Sequence, residues 1–488
     1  MMAPTEGIDP RDQAVQARIQ EEAIFGRLPL LASEREYDFR GMMSTGFAYA
    51  VATWCFLIGG YAAQYVGAVQ GMVTLLAGCT IGVVLSAIAS ALACNRYGLE
   101  QIDFTKTCFG QRGARFILLF YVVNQLGWSG IVLVMSSQGL QSILKETAGW
   151  DGGAALVSGA VLVSLLVCYA IVVRGVHVLN MWNAIVTPGL VAVCALIFWV
   201  IFRDHSFAQI AACQPTGPTD DAALNYAISF EFGLGAGFSW WPGIGFLARN
   251  TDNQRNSFYP QVLTMGVGMG VVCWTGLFAT LLFQKADPTT WMVAVGGRWL
   301  GVAALLLVLI ANISASSIMM YTAGLAMRHV PACRKMNWNL LLALVFVPVL
   351  AFVIWPQELY AKGNAFLPYN ATMYAPISGL LVVDYLILRR QRLDAAQIFS
   401  DDKDGDYWFW GGFNWLSLSC LAVGYAIYLA LFDPVSSTAR GPFKLVTASI
   451  PATVVPMVLY GVLAPFLLKR KGGYRETARP RAIEHYNI

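Results

Sequence analysis

Long runs without a charged side chain constrain this chain most. Leu340 to Trp355 contains none, and neither does Ala303 to Met327. Such runs cross a hydrocarbon core about 30 Å thick as helices, because each crossing needs roughly 20 mostly apolar residues. Lipid offers no partner to backbone N–H and C=O groups, so a segment must satisfy them itself. A β-barrel is excluded, since the runs are continuous and do not alternate apolar with polar. Only 12% of the 488 residues are charged, against about 25% in a typical soluble chain. The fold class expected is therefore an all-α polytopic membrane protein.

Apolar runs between polar breaks place twelve transmembrane helices near 45–66, 70–94, 114–142, 153–173, 182–202, 222–247, 259–283, 299–327, 338–355, 371–388, 413–431 and 447–468. An even number puts both termini on one side. The tails and the loops on that side hold twenty-five of the 32 Lys and Arg, and the opposite loops hold seven. The excess of positive charge on cytoplasmic loops then places both termini in the cytoplasm of a cell-membrane protein. The first forty residues lack the apolar core and small-residue cleavage site of a signal peptide. Ten cysteines include no CxxC pair, which argues against a zinc site or a disulfide framework. A net charge of +4 is too small and scattered to indicate nucleic acid.

Two spans look interrupted. Span 1 carries Gly59-Gly60, and span 6 reads EFGLGAGFSWWPGIGF, with Gly233, Gly235, Gly237, Pro242, Gly243 and Gly245. Glycine costs a helix about 1 kcal/mol and proline about 3. Interrupted helices at matching places in two halves point to a transporter site. The competing reading is close helix packing through small residues.

Several side chains could serve such a site. Gln125 and Trp128, three apart on one face of span 3, offer an amide beside a stacking surface for a planar heterocycle. Phe238, Trp240 and Trp241 follow the suspected break in span 6 and could cover the ring's other face. Adjacent tryptophans cannot share a helix face, so one of them is expected to be structural. Glu231 is the one acid well inside a span, either a proton carrier or a group bonded between helices. Asp384, at the end of span 10, reads as a surface residue. Asn312, Ser316 and Ser317 in span 8 could supply oxygens to Na⁺, or could bond back to their own helix. Neither HExxH nor GxxxxGK is present, and the four histidines fall in loops or tails. Enzyme chemistry and ATP-driven pumping are not indicated, which leaves an ion gradient as the energy source.

With GWSG at 127–130, PISGLLVVDYLILRRQ at 376–391 and GGFNWLSL at 411–418, the chain resembles the nucleobase–cation symporters of the first class, which include cytosine, hydantoin, allantoin and purine permeases. The resemblance implies a leucine-transporter-like fold. Helices 1–5 (44–202) and 6–10 (222–390) would form a 5+5 inverted repeat with discontinuous helices 1 and 6. Helices 11–12 would occupy 413–468, between tails at 1–43 and 469–488. It also implies that Trp128 stacks the substrate, with a span 6 aromatic near Phe238 to Trp241; Gly59, at the suspected break in span 1, and Asn312 are further substrate-binding candidates from the residues themselves. The glutamine that some members carry four residues after that tryptophan is Val132 here. Carbonyls near Ala52 and Cys55, with Ser316-Ser317 in place of a Ser-Thr pair, would hold Na⁺; Glu231 keeps H⁺ coupling open. A symporter of nitrogen heterocycles with no organic cofactor is expected, embedded in the lipid bilayer. An amino-acid or amine carrier on the same fold, and a non-transporting receptor, are the competing functions.

Overall fold

The computed structural model describes residues 28–50, 52–174, 176–400 and 402–468. Helices α1 (Phe39–Ala50) and α2 (Trp54–Ala63) meet at a bend of 59°. There follow α3 (Ala68–Tyr97), the short α4 (Gln101–Phe109), α5 (Gly113–Ala148), α6 (Gly153–Val173), α7 (Val176–Asp204) and α8 (Phe207–Ala212). The second half begins with α9 (Ala222–Phe238), α10 (Trp241–Arg249), α11 (Gln254–Phe283) and α12 (Pro288–Met327). It closes with α13 (Trp338–Ile354), α14 (Pro356–Ala361), α15 (Gly363–Leu388), α16 (Trp415–Leu431) and α17 (Ser449–Leu467). Among the described residues, seven helices are long and apolar enough to cross a membrane, and the bent pair α1–α2 makes an eighth span. The chain is an all-helical membrane protein.

Local signals set the helix ends. Left-handed glycines stop α3 at Gly98 (φ 66°) and α5 at Gly149 (φ 67°), a conformation that glycine adopts without a Cβ penalty. Asp287 caps α12 by accepting from Thr289 N at 2.8 Å, and Pro288 fills the first turn, where a missing N–H costs nothing. Gly297 (φ 66°, ψ 178°) then kinks α12, so only Gly297–Met327 has the length and direction of a crossing.

Helix α5 pairs extensively with α12, α9 with α3, and α11 with both α3 and α2. In the second of these, Gly78 and Gly82 of α3 face Gly233 and Gly237 of α9. A Cβ on Gly78 would lie 2.8 Å from Gly233 Cα, and one on Gly82 would lie 2.9 Å from Gly237 Cα. Two small-xxx-small stripes thus let two backbones touch. This corrects the reading of the span 6 glycines as an unwound stretch. The interruption is confined to Ser239 and Trp240, which keep helical dihedrals (φ −62° and −78°). Gly59 needs the same correction. It sits inside α2, where a Cβ would lie 1.9 Å from Cys273 O of α11; the bend of span 1 comes earlier, before Trp54.

At the end of α15 the expected surface aspartate is buried. Asp384, wholly inaccessible, pairs with Arg389 Nε at 2.8 Å, and Arg389 Nη2 donates to Thr107 O at 2.6 Å. Asn414, which caps α16, donates to Cys108 O (2.7 Å) and to Tyr460 OH (2.9 Å). The Tyr460 hydroxyl in turn donates to Asp384 Oδ1 at 3.5 Å. The two sequence motifs around 384 and 414 are therefore one buried polar junction linking α4, α15, α16 and α17. A π-helical turn at Val383–Leu388 re-aims Asp384 into it.

Candidate functional site

An open cavity of about 990 Å³ lies between two walls. From α5, Tyr121, Gln125 and Trp128 face it, spaced one turn apart along one side of the helix. From α12 come Ala311, Ser314, Ala315, Ile318, Met319 and Thr322, again one face. The opposite wall is built at the two helix breaks: Ala48, Tyr49, Ala52 and Trp54 at the first, Ser239, Trp240 and Gly243 at the second. Among the described residues, no Asp, Glu, Lys, Arg or His lines the cavity.

Of the three indoles that line it, Trp128 and Trp240 each meet another ring edge-on. Trp128, 6% exposed, meets Phe366 with centroids 5.4 Å apart at 81°. Its flanking glycines explain the GWSG motif: a Cβ on Gly127 would lie 2.3 Å from Phe366 Cζ, and one on Gly130 would lie 2.2 Å from Phe352 Cδ2. Bare backbone on both sides of Trp128 makes room for the two rings. Trp240 packs edge-on against Trp54 (5.9 Å, 64°), and its Nε1 donates to Met269 Sδ at 3.1 Å.

Other expected residues lie elsewhere. Phe238 is fully buried off the cavity, and Trp241 is stacked on Tyr374 (5.2 Å, 16°). Asn312 does not line the cavity; its Oδ1 accepts from the Thr53 hydroxyl and its Nδ2 donates to Val132 O at 3.2 Å. It ties the span 1 bend to α5 and α12. Ala52 reaches the cavity, whereas the Cys55 thiol is buried and donates to Ala50 O at 3.2 Å. Ser316 donates to Ser129 O at 3.4 Å, and Ser317 donates back to Ile313 O at 2.8 Å. Glu231 is remote from the cavity. Its Oε1 accepts from Tyr428 OH (2.7 Å) and the Ser449 hydroxyl, and its Oε2 from Ala448 N (3.1 Å) and Ser449 N (3.2 Å). Four donors hold the carboxylate at the N-terminus of α17, where a negative group is favoured. These bonds tie α9 to α16 and to the start of α17.

Sequence reasoning missed Asn124, Thr322, Tyr121 and Trp54. Asn124 Nδ2 donates to Ser239 O at 3.0 Å, satisfying a carbonyl freed at the second break. A polar residue one turn before Trp128 was the available signal.

Outside the spans, Glu100, Asp103 and His329 form a buried cluster. His329 Nε2 lies 3.2 Å from Asp103 and 3.8 Å from Glu100, while Nδ1 faces Ala326 O at 3.0 Å. Burial pushes the imidazole pKa down, but Asp103 and Glu100 outweigh it and raise the value above 6.5. Burial likewise opposes ionisation of Asp103, yet Lys106 at 2.6 Å and His329 hold its carboxyl below the usual carboxylate range. Burial raises Glu100, against the pull of His329. Three potential metal ligands meet here, but Lys106 already supplies the cation, so the cluster is an ion-pair network.

Residues 29–450 match the family of permeases for cytosine/purines, uracil, thiamine and allantoin, and the chain belongs to that family. A purine-uracil permease of Arabidopsis thaliana is 23% identical over 429 residues, covering 81% of this chain and 69% of its own length. The hydantoin permease of Microbacterium maritypicum is 20% identical over 419 residues, 82% of each. Among solved structures, the nucleobase-cation-symport-1 transporter Mhp1, closed with bromovinylhydantoin bound, superposes with TM-score 0.72 at 18% identity over 90% of this chain and 95% of its own. Its inward-facing form gives 0.75 at 17% identity (93% and 97%). A Na⁺-coupled sialic acid symporter gives 0.56 at 12% identity (93% and 97%). The chain is therefore a membrane permease of that family, with the fold of Mhp1.

Proposed function

We propose that this symporter imports a neutral, planar nitrogen heterocycle by alternating access, stacking it between Trp128 and Trp240. The observation that carries this reading is that both indoles line a cavity in which, among the described residues, no charged side chain takes part. A neutral ring loses little on entering such a cavity, whereas an ion would enter unpaired. The apolar runs and the loop charges support twelve spans with both termini cytoplasmic, and the family resemblance supports their arrangement as a 5+5 inverted repeat. Coupling to Na⁺ would use the carbonyls of Ala52 and Cys55 with the hydroxyls of Ser316 and Ser317. This reading is supported by their place on the two segments that Asn312 and Thr53 join. Both hydroxyls would have to rotate away from Ser129 O and Ile313 O to reach the ion. Coupling to H⁺ is the alternative, with Glu231 as the acid that the sequence places inside a span.

The test is radiolabelled uptake into proteoliposomes. Trp128→Ala removes a stacking surface of about 1–3 kcal/mol, a loss of roughly 5- to 150-fold in affinity, and saturable uptake should collapse while the protein stays monodisperse. Unchanged uptake would overturn the stacking. Replacing Na⁺ with choline at fixed pH separates the two couplings. Competition by amino acids would favour a carrier that binds a carboxylate at the span 1 bend, and binding without accumulation would favour a receptor.

A further inference from the structure

Six polar side chains line the cavity: Tyr49, Tyr121, Gln125, Ser239, Ser314 and Thr322. Two of them spend their hydroxyl hydrogens on backbone. Ser239 donates to Ala236 O at 2.6 Å, and Thr322 to Ile318 O and Met319 O, each at 3.0 Å. Gln125 differs, since its Nε2 lies 2.6 Å from Thr322 Oγ1. With the threonine hydrogen directed at its own helix, Oγ1 is left to accept. That fixes which end of the amide faces Thr322. The nitrogen sits against α12, and Oε1, with no partner among the described residues, remains an acceptor for whatever enters the cavity. Val132, one turn beyond Trp128, is fully buried and offers only its carbonyl, which Asn312 occupies. Reading of the ring edge from α5 therefore falls to the turn before Trp128.

We propose that Gln125, oriented by Thr322, is the specificity-determining residue, selecting heterocycles that present a ring N–H beside an acceptor. The inference rests on the cavity being the substrate site. Gln125 precedes Trp128 by three residues, so its amide stands at the edge of a ring stacked on that indole. Oε1 accepts the ring N–H, and the second hydrogen on Nε2 donates to the neighbouring C=O or ring nitrogen. This is the donor–acceptor edge of a lactam or an aminopyrimidine, matched by one primary amide. An N-alkylated ring keeps its stacking face and loses the donor, leaving Oε1 desolvated and unpaired.

Binding is read by tryptophan fluorescence and thermal shift on the purified full chain. The probes are uracil, cytosine, hypoxanthine and hydantoin, each beside its N-methylated derivatives. At least one parent should bind, and methylation at one ring nitrogen should weaken it roughly tenfold or more. Gln125→Met, close in volume, should bring parent and methylated ligand to within about twofold of one another. Thr322→Val should narrow the ratio in the same direction by freeing the amide. Trp128→Ala should instead weaken parent and derivative together. Wild-type protein that binds every N-methylated ring as tightly as its parent overturns the proposal without any variant. Discrimination that survives in a folded Gln125→Met does the same. If Trp128→Ala leaves all binding intact, or no parent binds at all, the reading of the cavity fails and this proposal with it.

Discussion

At the scale of the residue, Glu231 shows how far a sequence carries and where it stops. A lone acid inside an apolar span is conspicuous in the sequence, but its donors Tyr428 and Ser449 lie 197 and 218 residues further on. No local pattern announces them. Removing the carboxylate orphans two buried N–H groups and two hydroxyls, each worth about 1–3 kcal/mol. Glu231→Ala should therefore lower the thermal midpoint in detergent sharply, and Glu231→Gln less so. The pH profile of uptake by Glu231→Gln should match that of wild type, whereas a proton carrier would lose its profile. His329 was legible only as a loop histidine, because its partners sit on α4. Groups whose pKa is raised on folding stabilise the protein below their unfolded value, and that stabilisation disappears as pH climbs through the folded value. His329 and Glu100 both shift upward. Thermal stability should thus fall as pH rises above about 6.5. His329→Gln should flatten that decline, and a midpoint scan against pH measures it.

At the scale of the element, hydropathy located the helices well, because lipid imposes a length and a composition on each one. Partners were not legible. The glycines of α9 read equally well as a break or as a packing stripe, and only the matching pair on α3 decides between them. Gly82→Val would drive a side chain into Leu234 O and the Gly237 backbone, within 2.6–3.0 Å, where nothing flexible can yield. Loss of monodisperse protein on gel filtration is expected. Gly159→Ala on α6, with nothing within 4 Å of the added Cβ, should be tolerated and gain a few tenths to about 1 kcal/mol of helix propensity. Equal tolerance of both substitutions would refute the close crossing.

At the scale of the whole molecule, three motifs scattered over some 290 residues revealed the family before any geometry was known. The structure supplies what each one does. One seats rings beside Trp128; the other two meet at Tyr460, joining α16 and α17 to the end of α15. Removing one partner of the buried Asp384–Arg389 pair strands the other charge, at about 3–5 kcal/mol. Asp384→Asn and Arg389→Gln should each be strongly destabilising, and the double variant should cost clearly less than their sum in chemical denaturation. Additive losses would mean that the two side chains act independently.

The cavity's two walls rest on different supports. Trp128 is carried by the tightly paired α5 and α12, whereas Trp240 and Trp54 stand on the short connections of the two interrupted helices. A heterocycle that touches both walls can be released only when one moves past the other. A derivative bulky enough to prop them apart would enter, bind and never leave on the far side. Such a compound would act as a competitive inhibitor that blocks the cycle without itself being carried.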